Sequence, residues 1–111
     1  MILDTSALLS ILFLEPEAGP FARAIEEASV VRLSVASYLE ASITIDRRTD
    51  AVRRAMLDSF LDDFSIQLEP VTVQQALLAR QAFQLFGKTR HPAGLNFGDC
   101  FTYALAKATR E

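Results

Sequence analysis

Three acidic residues lie within apolar stretches, where a charge is costly. Asp4 directly follows the apolar residues 1–3, and Glu40 and Asp99 lie among apolar side chains farther along. A carboxylate that leaves water needs a cation or hydrogen-bond donors as partners. Oxygen ligands select hard cations, and Mg²⁺ takes one or two carboxylates while keeping several waters. A water that such an ion makes more acidic can attack a phosphodiester bond. Brought together in one site, the three acids would suit a Mg²⁺ ion, with Asp4 as the ligand that bridges to any second metal.

Each acid also has a purely structural interpretation. Glu40 follows Ser37 by three residues, which is the spacing of a capping box, and spacing alone favours this cap. Asp99 falls in the first turn after Asn96, where the helix dipole stabilises a negative charge by roughly 0.3–1 kcal/mol. Asp4 could be a helix N-cap, although the two hydroxyl residues that follow it are available for the same role. Spacing alone leaves these alternatives open.

A second group of polar residues could contact a substrate. Hydroxyls in a first helical turn can donate to a phosphate or satisfy free backbone N–H groups, and an amide at a helix start is typical of a cap. A basic loop can hold a phosphate backbone or be merely solvated, and its histidine can stack on a base or lie in solvent. The candidates are Ser6, Thr5, Lys88, Arg90, His91 and Asn96.

Composition limits the class of protein. With 111 residues, of which 50% are apolar, the chain predicts a single domain spanning 1–111. It has no apolar run of membrane-spanning length and no signal peptide, so a cytoplasmic location is expected. One cysteine, Cys100, and one histidine exclude an internal disulfide and a structural zinc site, and Cys100 lies on an apolar helical stripe typical of a core residue.

The charge balance is compatible with an acidic pocket in a neutral surface. The net charge is −3, from 14 acidic and 11 basic residues, and setting aside the three acids above leaves 11 of each sign. A net negative charge is not typical of a protein that binds nucleic acid. The even balance on the rest of the chain makes such binding compatible with the composition. Four arginines near residue 50 predict a solvated face, with RNA binding as the alternative: Arg47, Arg48, Arg53 and Arg54.

Hydrophobic spacing predicts strands that alternate with helices. Strands are expected at 1–4, 31–35 and 66–71, and helices at 7–14, from Pro20, 37–48, 52–64, 73–87 and 97–108, with caps at Ser37, Thr72 and Asn96. This order favours a three-layer α/β/α sandwich with a central parallel sheet. Such sheets bind ligands at the carboxyl ends of strands, where the strand order reverses, and Asp4 and Glu40 follow two of these ends.

The chain resembles a PIN domain and, more narrowly, the VapC-type toxins of bacterial toxin–antitoxin pairs. The resemblance extends over the whole length and is carried by residues 2–8, 36–40 and 87–100. The segment 87–100 is its most specific part. It implies an α/β/α sandwich that cuts RNA with acids binding Mg²⁺ or Mn²⁺. Asp4, Glu40 and Asp99 match the first three of the family's usual four acids.

The resemblance also implies partners. The family pairs with a small VapB-type antitoxin, which often directs an arginine toward the acid pocket, and it forms homodimers through early helices. We expect apolar surface for such contacts from five side chains: Leu8, Leu12, Phe13, Phe60 and Phe64. The resemblance implies a tRNA or a ribosomal RNA as the substrate.

One feature departs from the family pattern. Family members continue past the last helix into a strand, a turn containing the fourth acid and a final strand, whereas this sequence stops at Glu111. We therefore expect the C-terminal strands to be missing because the chain is a shortened form of a longer protein. The alternative function is a catalytically inactive PIN-like module that binds an antitoxin and lacks the fourth acid.

Overall fold

The computed structural model describes residues 1–48, 51–87, 89, 92 and 94–111. These residues form six helices and two strands, and a pair of helices precedes and follows each strand. The elements are α1 (Thr5–Leu12), α2 (Ala18–Glu27), β1 (Arg32–Ser34), α3 (Val35–Arg48), α4 (Ala51–Asp63), β2 (Gln67–Glu69), α5 (Val73–Phe86) and α6 (Phe97–Thr109). No helix in this part of the chain is long and apolar enough to cross a membrane.

The strands form a small parallel sheet. β1 pairs with β2 in parallel, and the N-terminal segment pairs with the other edge of β1 through a parallel bridge between Ile2 and Arg32. The Leu3 N–H donates to the Arg32 carbonyl at 2.8 Å, and the Arg32 N–H donates to the Met1 carbonyl at 2.9 Å. Helices α3 and α6 both pack against β1. The predicted α/β fold with a central parallel sheet is confirmed.

The expected reversal of strand order is not found among these pairings. The N-terminal segment, β1 and β2 lie side by side in chain order. Asp4 therefore follows an edge segment, and α3, which carries Glu40, leaves from the neighbouring β1. Adjacent carboxyl ends of parallel strands are enough to bring the two acids to the same edge of the sheet.

Two predicted caps are confirmed and one is wrong. Thr72 caps α5 by accepting from the Gln75 N–H at 3.1 Å, and Asn96 caps α6. Helix α3 starts at Val35, directly after β1, so Ser37 lies within the helix instead of before it. The hydroxyl of Ser34 accepts from the Ala36 N–H at 3.2 Å and satisfies a free N–H group of the first turn.

The core removes most of the apolar surface that we expected to be available for a homodimer. Leu8, Leu12 and Phe60 are 0%, 5% and 8% exposed, within one cluster that also includes Leu33 of β1. Phe13 and Phe64 are only partly buried, but they pack against the same cluster. The prediction that these side chains form a dimer surface is wrong for the three buried ones, because α1 and α4 turn them inward.

Two of the four arginines stack on an aromatic ring. The guanidinium groups of Arg48 and Arg53 lie 5.8 Å and 5.3 Å from the centroid of Phe13, which is cation–π distance. Arg54 instead pairs with the Asp46 carboxylate at 3.7 Å. The predicted solvated face is therefore partly a contact that joins α3 and α4 to the end of α1.

Candidate functional site

The three predicted acids line one cavity at the carboxyl edge of the sheet. The cavity has a volume of about 280 Å³ and is called the acid cavity below. Its walls come from α1, α3 and α6, which start from distant parts of the sequence. The predicted site residues that line it are Asp4, Thr5, Ser6, Glu40, Asn96 and Asp99.

Asp4 is held in place by the helix that follows it. It is the N-cap of α1, and its Oδ1 accepts from the Ala7 N–H at 2.7 Å. The neighbouring hydroxyl residues do not take this role, since Thr5 donates to the Ser37 carbonyl at 3.4 Å and Ser6 is exposed. Within the described part of the chain, Oδ2 of Asp4 has no hydrogen bond. The cap fixes the carboxylate and leaves this second oxygen for a ligand.

Asp99 is fixed in the same way. It forms a capping box with Asn96, in which the Asp99 N–H donates to Oδ1 of Asn96 at 2.9 Å and the Asn96 N–H donates to Oδ2 of Asp99 at 3.0 Å. The structural interpretation of Asp99 is therefore confirmed. One oxygen of each aspartate makes a capping bond, and the cap and a ligand role are compatible.

Glu40 has no structural bond of this kind. The capping box with Ser37 is absent, because Ser37 is buried in α3 with its hydroxyl 3.4 Å from that of Thr102. The Glu40 side chain makes no hydrogen bond or ion pair with the residues that the structure describes. Its position in the second turn of α3 places the carboxylate against α6. Of the three acids, Glu40 has the least structural reason to be where it is.

Gly98 is a site residue that the sequence patterns did not reveal. A Cβ atom at this position would lie 2.5 Å and 2.6 Å from the two carboxylate oxygens of Glu40. Only glycine therefore permits the present approach of Glu40 to α6. A glycine inside a helix costs roughly 1 kcal/mol relative to alanine. A glycine at the start of a predicted helix and next to Asp99 was therefore the sequence signal that could have identified Gly98 as a site residue.

Two threonines of the acid cavity were also not predicted. Thr44 follows Glu40 by one helical turn, and Thr102 follows Asp99 by three residues. Residues three and four apart share a helix face, so this spacing could have identified both. The Thr44 hydroxyl donates to the Glu40 carbonyl at 3.1 Å. The loop candidates Lys88, Arg90 and His91 lie outside the described residues.

The acid cavity fits a hydrated cation better than a closed coordination shell. In the ranges that the structure describes, no group of three His, Cys, Asp or Glu side chains is arranged to hold a metal ion directly. The donor set nevertheless consists only of oxygens, and Mg²⁺ characteristically binds through one or two carboxylates and several waters. The free oxygens of Asp4, Glu40 and Asp99 suit such an ion.

Cys100 lies beside Asp99 but faces the core. It belongs to a small buried cluster with Ala79 and Ala104. Burial raises the pKa of the Cys100 thiol, and the negative charge of Asp99 raises it further. The burial of Cys100 confirms the prediction of a core residue, and the raised pKa disfavours the thiolate that a nucleophile would need.

We expect Cys100 to react slowly with iodoacetamide in the folded protein. The thiolate is the reactive form, and both burial and the raised pKa reduce its population. Mass spectrometry after timed labelling at pH 8 should show much less adduct than in 6 M urea. Equal labelling rates in the two conditions would contradict the buried position.

The family comparison and the curated relatives agree with each other. The chain matches the PIN domain family over residues 1–111. It is 50% identical over 112 residues to ribonuclease VapC28 of Mycobacterium tuberculosis, across 100% of this chain and 84% of that protein. It is 46% identical over 109 residues to a ribonuclease VapC of Mycolicibacterium smegmatis, across 98% of this chain and 84% of that protein.

A solved structure shows the same fold. VapC20 of Mycobacterium tuberculosis, described as a sarcin–ricin loop cleaving toxin, superposes with a TM-score of 0.70 at 19% identity. The match covers 98% of this chain and 82% of that chain. At this identity the likeness concerns the fold alone.

Proposed function

Because this chain belongs to the PIN domain family and, within it, to the VapC ribonucleases, we propose that it is a metal-dependent endoribonuclease. Its proposed reaction is hydrolysis of a phosphodiester bond in RNA with Mg²⁺ or Mn²⁺. The observation that carries the proposal is the meeting of Asp4, Glu40 and Asp99 at one cavity, although they are far apart in sequence.

The three carboxylates have different proposed roles, because capping bonds orient two of them and leave the third free to move. Asp4 and Asp99 are oriented by their capping bonds, so the free oxygen of each is presented to the cavity without further ordering. A bound divalent ion would supply a more acidic water and neutralise charge on the phosphate. Glu40 completes the negative charge that attracts such an ion, and its flexible side chain can adjust to it.

Hydroxyl and basic groups are the proposed contacts for the RNA. Thr5 and Ser6 lie on the wall of the acid cavity in the first turn of α1, and we assign them to the phosphate oxygens beside the scissile bond. Asn96 is engaged in its cap and contributes to substrate binding only indirectly. Lys88, Arg90 and His91 remain predicted contacts to the phosphate backbone.

The direct test is cleavage of RNA by the purified chain with and without divalent ions. We expect cleavage of a structured RNA pool with Mn²⁺ or Mg²⁺, loss of cleavage in excess EDTA, and recovery when the ion is restored. Calorimetry with Mn²⁺ alone should show binding that EDTA removes. Folded protein that neither binds Mn²⁺ nor cleaves RNA would overturn the proposal.

The second candidate function is an inactive antitoxin-binding module. It is favoured by the absence, within the described ranges, of a three-residue group that could hold a metal directly. It is also favoured by the caps, which alone explain the positions of two acids. This candidate predicts binding of an antitoxin without RNA cleavage, so the experiment above separates the two.

The partners follow from the family and remain proposals. We propose that a VapB-type antitoxin blocks the acid cavity, where a cationic side chain would meet three carboxylates. A homodimer is also proposed, on surfaces other than the buried Leu8, Leu12 and Phe60. Light scattering at tens of micromolar protein would test the dimer, and a monomer mass would contradict it.

A further inference from the structure

An apolar cavity opens beside the acid cavity. It has a volume of about 520 Å³, lies between α3 and α6, and is called the apolar slot below. Among the residues that the structure describes, its apolar walls come from Leu39, Ile43, Phe97 and Phe101, and Arg47 contributes a positive charge. The two cavities share Glu40, Thr44 and Gly98 as lining residues, so they form neighbouring halves of one depression.

Three apolar side chains in the walls of the slot are exposed to solvent. Phe97, Leu39 and Ile43 are 79%, 58% and 43% exposed. The rings of Phe97 and Phe101 meet edge to face, with centroids 4.9 Å apart and an interplanar angle of 84°. Because Phe97 remains 79% exposed beside this contact, its ring is accessible for stacking. A contiguous exposed apolar surface is typical of a binding site.

We infer that the apolar slot binds a nucleobase of single-stranded RNA next to the scissile phosphate, with the base stacked on Phe97. This inference rests on the proposed function, which places the scissile phosphate in the acid cavity. Since the cavities share walls, an RNA strand bound there places an adjacent nucleoside at the slot. Aromatic side chains bind unstacked bases by their π-faces.

Charge and shape favour RNA over another protein as the occupant. Arg47, on α3 two turns beyond Glu40, also lines the slot and suits the next phosphate of the strand. A base has apolar faces and polar edges, which match aliphatic and phenyl walls beside the polar Glu40 and Thr44. The apolar walls alone would also suit a protein helix, but the polar edges of a base and the phosphate beside it match Glu40, Thr44 and Arg47 as well.

The test compares two substitutions at Phe97 that differ in stacking. Phe97→Leu keeps an apolar side chain but removes the ring, whereas Phe97→Tyr keeps the ring. With a single-stranded RNA oligonucleotide that spans the mapped cleavage position, we expect Phe97→Leu to raise KM by about five- to a hundredfold, since stacking contributes roughly that much affinity per base. Phe97→Tyr should stay close to the parent protein.

Phe83→Leu is the matched control. Phe83 is another exposed phenylalanine, on α5; it does not line the apolar slot but lines a separate apolar cavity with Phe97 and Phe101, so it tests whether loss of a neighbouring ring is enough. Its substitution should leave KM unchanged. Circular dichroism melting of each variant checks that the fold is retained, which we expect because both rings are exposed.

A modified RNA locates the stacked base. An abasic nucleotide beside the scissile phosphate should weaken binding to the parent protein but cause no additional loss in Phe97→Leu, because both changes remove the same contact. Unchanged RNA binding in Phe97→Leu overturns the inference, and a simultaneous loss of antitoxin binding or self-association would assign the slot to a protein. A parent protein that cleaves no RNA overturns the proposed function itself.

Discussion

Asp4→Asn should strongly reduce RNA cleavage while leaving the fold almost as stable as before. The substitution removes the negative charge of one of the two carboxylates that capping bonds orient in the acid cavity. Charge stabilisation by a divalent ion contributes several kcal/mol to such reactions, so we expect kcat to fall by roughly a hundredfold or more. Single-turnover cleavage with saturating Mn²⁺ measures this loss.

Stability should respond differently because Asp4 also caps α1. Asparagine and aspartate are equally good N-caps, so the free energy of unfolding should barely change in Asp4→Asn. Asp4→Ala removes the acceptor for the Ala7 N–H and should cost roughly 0.5–2 kcal/mol in urea denaturation. If Asp4→Asn cleaves RNA as fast as the parent, Asp4 is only a cap.

Local signals were enough to predict much of the fold. The caps at Thr72 and Asn96 are bonds to an N–H three residues away, so four consecutive residues encode each of them. The predicted start of α3 was wrong because this local signal occurs twice. Ser34 and Ser37 are both chemically suitable caps. In the structure Ser34, the last residue of β1, provides the capping bond, and α3 begins at the next residue.

Contacts between distant elements could not be predicted in this way. The sequence around Phe13 gives no sign of a polar partner, but the guanidinium groups of Arg48 on α3 and Arg53 on α4 lie at cation–π distance from its ring. Leu8 and Leu12 have the spacing of an amphipathic face, and spacing does not tell whether that face meets the core or a partner. Only the packing shows that they belong to the core.

The candidate site depends both on local bonds, which the sequence can predict, and on contacts between distant elements, which it cannot. The resemblance and the apolar surroundings pointed to Asp4, Glu40 and Asp99, whose ligand roles remain proposals. The sequence also offered a cap for each acid, and the structure retains that explanation for two of them. It removes the explanation for Glu40 and replaces it with a contact to Gly98, which no local pattern encodes.

Gly98→Ala should therefore lower cleavage without destabilising the protein. The new Cβ would lie 2.5 Å from a Glu40 oxygen, so the Glu40 side chain must move away. Glu40 is exposed and flexible, so the move costs little, and alanine in the first turn of α6 favours the helix by at most roughly 1 kcal/mol. A catalytic group displaced by about 1 Å can lose a hundredfold in rate, so we expect a ten- to hundredfold loss.

A double-mutant cycle decides whether this loss acts through Glu40. Glu40→Gln should itself reduce cleavage by roughly a hundredfold, with little change in the free energy of unfolding, because its side chain makes no structural bond with the described residues. In a Glu40→Ala background the crowded carboxylate is gone, so Gly98→Ala should cause no additional loss. Independent, multiplying losses would mean instead that Gly98 affects the start of α6 and the carboxylate of Asp99, and that Glu40 is not the group that Gly98 positions.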